Sequence, residues 1–135
     1  MNIEDFPLAW RWTQATHTVL PIEVLKTLTP LCLESAQLLS ESVPSFFPEG
    51  SLKFDTSNEE LDAGQWLKNL GVASQQVTIS WSNNMALSLP WLTFCKYWDE
   101  FCYPSSDDAD IFLKNNRFFL RWNHYELFEC DLSAL

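Results

Sequence analysis

Hydrophobic and polar positions along the chain follow a helical period first and a strand period later. In "TLTPLCLESAQLLSES", Thr29 ahead of Pro30 reads as an N-cap and a first-turn proline, and the helix they open brings Leu31, Leu38 and Leu39 to one side. The preceding "PIEVLKTL" reads as a separate short helix stopped by the same proline, whose missing N–H and bulky ring cannot continue it. A third helix is expected from Ser57 to Gly71. Ser57 and Glu60 have capping-box spacing, Glu59 and Asp62 lie at its positive end, and Lys68 lies near its negative end. Its buried side would hold Leu61, Trp66, Leu67 and Leu70. Between these helices "VPSFFPEGSLKF" carries two prolines and a glycine and reads as an irregular connection, with Phe46 and Phe47 at its centre.

From residue 77 the period changes to two. Val77, Ile79 and Trp81 alternate with Thr78 and Ser80, "SNN" supplies turn residues, and Met85, Leu87 and Leu89 resume the alternation, which predicts a hairpin. Pro90 then opens "PWLTFCKYWDEFC", in which Trp91, Phe94, Cys95, Trp98, Phe101 and Cys102 fall on one helical stripe. "YPSSDDAD" ends that helix. "DIFL" and "RFFLRW", on either side of Asn115 and Asn116, predict a second hairpin. The fold class expected is α+β: N-terminal helices followed by a mainly antiparallel sheet built from two hairpins, with an amphipathic helix between them. Two consecutive hairpins can only pair antiparallel.

The segment 118–130 raises a question of its own. Read as one continuous strand, it places Phe118, Leu120, Trp122, His124, Glu126, Phe128 and Cys130 on a single face. His124 and Glu126 would then be a buried polar pair, each the other's nearest partner, because an ionised carboxylate without one is costly in an apolar layer. A turn at Asn123 and His124 is the competing arrangement, and the absence of a glycine there favours the strand.

Composition adds the scale. With 135 residues, 47% hydrophobic and 15% aromatic, the chain has material for one well-filled core and reads as a single domain, residues 1–135. Seven tryptophans and ten phenylalanines imply a core built on rings. Eighteen acids against eight lysines and arginines leave a formal charge of −10, which repels phosphate backbones and anionic lipid and argues against nucleic-acid or membrane binding. The acids are uneven: residues 1–62 carry ten acids and three bases, 63–98 carry two bases and no acid, and 99–135 carry eight acids and three bases. The amino terminus "MNIEDFPLAWRW" has acids where a secretory leader has cations, so a soluble, cytoplasmic protein is expected. In that compartment Cys32, Cys95, Cys102 and Cys130 stay reduced and read as small buried hydrophobes.

Catalytic and metal patterns fit poorly. His124 and Glu126 begin a zinc-deaminase signature, but no Pro-Cys-x-x-Cys pair follows. Cys95, Cys102, His124 and Cys130 could together make a tetrahedral site, although structural zinc starts from closely spaced cysteine pairs. Asp107, Asp108 and Asp110 lack the glycine and distal glutamate of a calcium loop. Phosphate-cradling glycine loops, nucleophile elbows and His-Glu-x-x-His are missing from the sequence. The reading assigns no catalytic residue, no metal and no cofactor.

What remains is a small acidic, tryptophan-rich binding module that docks on a basic partner protein, with carboxylates speeding encounter and aromatic anchors supplying affinity. Inhibitors of the immunity type, which block basic nucleases, share that physical character. Asp107, Asp108 and Asp110 are the expected solvated, partner-facing patch, with Phe46 and Phe47 as anchors. A homodimeric structural subunit and a metal-dependent enzyme are the alternatives from other classes.

Overall fold

The computed structural model describes residues 2–42, 51–70, 75–113 and 119–131, and Phe46 and Phe47 lie outside them. Its centre is a seven-stranded antiparallel sheet of β1 (Thr29–Pro30), β2 (Leu52–Asp55), β3 (Gln76–Ser82), β4 (Met85–Pro90), β5 (Ala109–Leu113), β6 (Phe119–Asn123) and β7 (Leu127–Asp131), ordered β1-β4-β3-β5-β6-β7-β2. Helices α1 (Trp10–Thr13), α2 (Ile22–Leu25), α3 (Leu33–Glu41), α4 (Ala63–Leu70) and α5 (Trp91–Phe101) complete an α+β fold.

Alternation decides which face becomes the core. Register aligns Ile79 with Leu87 and Ile111, Ile111 with Leu120, and Trp122 with Phe128, so one face is a continuous apolar layer. Against this layer α5 buries Trp91, Phe94, Cys95 and Phe101, and α4 packs on α5 through Ala63 and Leu67. Pro90 makes the strand-to-helix junction: it is the last residue of β4 and the N-cap of α5. The N-terminal segment closes the end of the core. Trp12, fully buried, donates Nε1–H to the Glu100 carbonyl at 2.7 Å and packs its ring with those of Phe6, Trp81 and Phe101. On the other face of β3 and β4 packs α3, and Ala36 of that helix is buried, as are Ser80 and Ala86 of the two strands.

Four expectations are corrected. Thr29 and Pro30 do not open a helix: they pair with Ser88 and Leu87 as a two-residue edge strand, where a proline that cannot donate is tolerated. Leu31 N–H continues that pairing to the Ala86 carbonyl, and α3 begins later, at Leu33, leaving Leu38 63% exposed. The third helix also starts late. Ser57 donates its N–H and hydroxyl to Asp55, whereas Asp62 caps α4 by accepting the Gln65 N–H at 3.1 Å, and Leu61 is left 48% exposed ahead of the first turn. The presumed loop around residue 52 contributes β2, so beyond the hairpins β3–β4 and β5–β6 the sheet gains β1 at one edge and β7 followed by β2 at the other. Both edges are short, which limits the unpaired backbone offered to other chains.

The fourth correction concerns 118–130. Asn123 accepts the Tyr125 N–H on its side chain and the Glu126 N–H on its carbonyl, both at 3.0 Å, and the chain reverses between β6 and β7. An Asn that hydrogen-bonds the backbone two residues on supplies the turn without glycine. Glu126 takes the left-handed conformation, with φ 67°. His124 is therefore exposed and Glu126 half-buried, so neither enters the apolar layer.

Candidate functional site

The loop leaving α5 and the β6–β7 turn form one end of the molecule. Cys102 caps α5, and the chain then folds back on α1 through Asp107. The Arg11 guanidinium meets the Asp107 carboxylate through two hydrogen bonds, of 2.6 and 2.8 Å, and both residues are buried. Asp107 also accepts the Tyr103 N–H at 2.9 Å, while the Tyr103 ring lies 3.9 Å from the guanidinium carbon. A planar cation stacked on an aromatic ring and gripped at both nitrogens by one carboxylate has its geometry fixed. Asp107 therefore serves the fold and does not face solvent, contrary to the expected patch.

Asp110 is also engaged internally. It faces Arg121 across β5 and β6 at 2.8 Å, and burial pushes its carboxyl above the usual range although the guanidinium pulls the other way. Asp108 alone of the three stays on the surface. Its side chain is 65% exposed, and it accepts the backbone N–H of His124 at 3.0 Å and approaches His124 Nδ1 at the same distance. Of the expected carboxylate patch, one member is solvated, one is half-buried and paired, and one belongs to the interior.

Other hydrogen bonds tie the turn down. Ser105 N–H reaches the His124 carbonyl at 3.1 Å, and the Glu126 carbonyl accepts both the N–H and the hydroxyl of Thr56, at 2.9 and 2.8 Å. Three loops, 103–108, 124–126 and 55–58, are thereby knitted together. Tyr125 stands at the tip, 73% exposed, with its ring 4.2 Å from that of His124. Nearby, the hydroxyl and N–H of Ser57 hold the exposed Asp55 carboxyl below its ordinary value, which keeps it ionised. Chemically the surface offers an aromatic anchor on a braced turn with carboxylates around it.

Tyr125, Thr56 and Asp55 were not legible as site residues. The available signal was the side-chain chemistry of Asn123, a turn former in a run otherwise suited to strand. Among the described residues, no three His, Cys, Asp or Glu side chains are placed to hold a metal ion. Cys95, Cys102 and Cys130 are buried, whereas His124 is exposed, so the tetrahedral set does not assemble. Cys32, expected inside, is exposed at the start of α3. No described helix is long and apolar enough to cross a membrane. No family model, curated protein or solved structure matches the chain.

Proposed function

We propose that residues 1–135 act as one small, acidic, cytoplasmic protein-binding module, an inhibitor of the immunity type, docking on a basic partner through the turn at 124–126 and its carboxylate surround. The observation that carries this reading is Tyr125. A tyrosine 73% exposed on a turn held by four hydrogen bonds from neighbouring loops is an anchor already ordered before binding. Preordering matters because immobilising a side chain costs association free energy, and tyrosine has few torsions to lose. Asp108 and Asp55, with the net charge of −10, supply the field that steers a cationic surface. Asp107 and Asp110 are each paired with an arginine, so the steering charge at this end falls to Asp108 and Asp55.

Capture from cell extract on the immobilised chain tests the proposal. A basic protein should be retained, and Tyr125→Ala should weaken its binding at least about thirtyfold, as loss of a central aromatic anchor does. Asp108→Asn together with Asp55→Asn should lower the on-rate and flatten its salt dependence, with a smaller effect on dissociation. Retention of the same protein undiminished by Tyr125→Ala would sink the proposal.

A further inference from the structure

A second feature shares no residue with that docking surface. Between α4 and α5 lies a cleft of about 450 Å³, lined by Asp62, Gly64, Gln65, Lys68, Leu92, Cys95, Lys96 and Trp98. It falls in the range of sites for small ligands, and two further cavities lined by described residues are smaller, at about 250 and 150 Å³. The helices that form it are held close at Gly64, where a Cβ would come within 3.1 Å of the Cys95 carbonyl oxygen.

The charge of this cleft runs against that of the protein. Residues 63–98 contain no acid and two bases, and those two bases are Lys68, on α4, and Lys96, on α5. Among the described residues neither is within ion-pair distance of a carboxylate, whereas Arg11 and Arg121 each hold one. Asp62 at the rim is directed to the Gln65 N–H as the helix cap. Lysine charge is felt at the floor. Lys68 draws the Cys95 thiol downward, although burial is the larger effect and leaves the thiol neutral, at about 12. Cys95 is thus a wall and not a nucleophile. Leu92, 43% exposed, and the half-buried Trp98 provide apolar surface beside the cations.

We propose that the α4–α5 cleft binds a small organic anion, a carboxylate or phosphate ester with a compact apolar body, its acid oxygens placed between Lys68 and Lys96 and its body against Leu92 and Trp98. Lys68 and Lys96 line one concavity from neighbouring helices, and an anion held between them would gain charge-assisted hydrogen bonds from both ammonium groups.

Titration with phenyl phosphate and, separately, benzoate, followed by amide and indole N–H resonances, provides the test. One or both should move the signals of Lys68, Lys96 and Trp98 in a saturable way, and which of them does so tells phosphate from carboxylate. Lys68→Gln with Lys96→Gln should weaken binding about tenfold or more, two charged hydrogen bonds having been reduced to neutral ones. In the wild type, affinity should fall with added salt, and Leu92→Ser should bring phenyl phosphate down towards inorganic phosphate. Resonance shifts scattered outside the cleft, no saturable shift with either probe, or equal affinity in the double variant at an unchanged melting temperature would overturn the proposal.

Discussion

Arg11 and Asp107, 96 positions apart, are joined by two hydrogen bonds in an environment almost closed to water. This contact fastens α1 to the loop between α5 and β5, and it determines what that loop can present. With Asp107 turned inward, Asp108 is turned outward towards His124. Among the described residues the Arg11 Nε–H is buried and has no partner, and the guanidinium donates its hydrogen bonds to a single carboxylate.

Removal of that carboxylate should therefore be costly. Asp107→Asn strands a buried cation, and breaking one side of a buried pair costs about 3–5 kcal/mol. Chemical denaturation should show the loss. In an Arg11→Met background the same substitution should cost much less, because no charge remains to be stranded. Equal costs in both backgrounds would mean that the pairing with Arg11 is not what the substitution takes away.

How much of this was legible follows from particular residues. The hairpin of β3 and β4 and the helix α5 were readable because their periods are long and Pro90 separates them. β1 was not: two residues carry no alternation, and Thr-Pro ahead of leucines has the same chemistry as a helix start. The turn at 123–126 was hidden for a geometric reason. In the β6–β7 register Trp122 pairs with Phe128 and Leu120 with Cys130, so even positions on both arms share one face. A continuous strand would give the same alternation. Parity alone cannot report the reversal, and the turn rests on the hydrogen-bonding capacity of Asn123. The Arg11–Asp107 contact has no local signal, since each residue is polar in a stretch that gives no indication of the other.

The late start of α4 has a direct consequence. Asp62→Ala removes the acceptor for the Gln65 N–H and should cost about 1 kcal/mol, as lost N-caps do. Ser57→Ala, at the position that the sequence pattern favoured, should cost less than half of that, because among the described residues Ser57 bonds to Asp55 two residues before it and not to the helix. Paired thermal melts of the two variants decide the matter, and a larger loss for Ser57→Ala would place the helix start earlier.

Thiol chemistry should separate the four cysteines sharply. Cys32 is exposed, and hydrogen bonding with the side chain and backbone of Ser35 holds its thiol below the ordinary value. Burial raises Cys95 to about 12 and Cys102 well above its usual value. The thiolate is the reactive form, so native protein at mildly alkaline pH should lose one thiol per chain rapidly and the other three only on denaturation. Cys32→Ser should abolish the fast phase, and Ser35→Ala should slow it by moving the thiol back towards its ordinary range. A second rapid thiol would show that a buried cysteine is reached by local opening.

Asp110 should write its environment into the pH dependence of stability. Its carboxyl is raised in the folded state, first by burial and further by Asp108, while Arg121 opposes both. Between the unfolded value, near 3.8, and the higher folded value, the unfolded chain has already released a proton that the native chain still holds. Stability contributed by this group therefore falls as pH rises through that window and stays lower above it. Asp110→Asn removes the titration but leaves Arg121 beside an amide. The difference in unfolding free energy, wild type minus variant, should accordingly decline from pH 3 towards neutrality, as measured by urea denaturation across that range. A difference that rises with pH would mean that the Arg121 pair outweighs desolvation, and that the carboxylate stabilises the sheet in its ionised form.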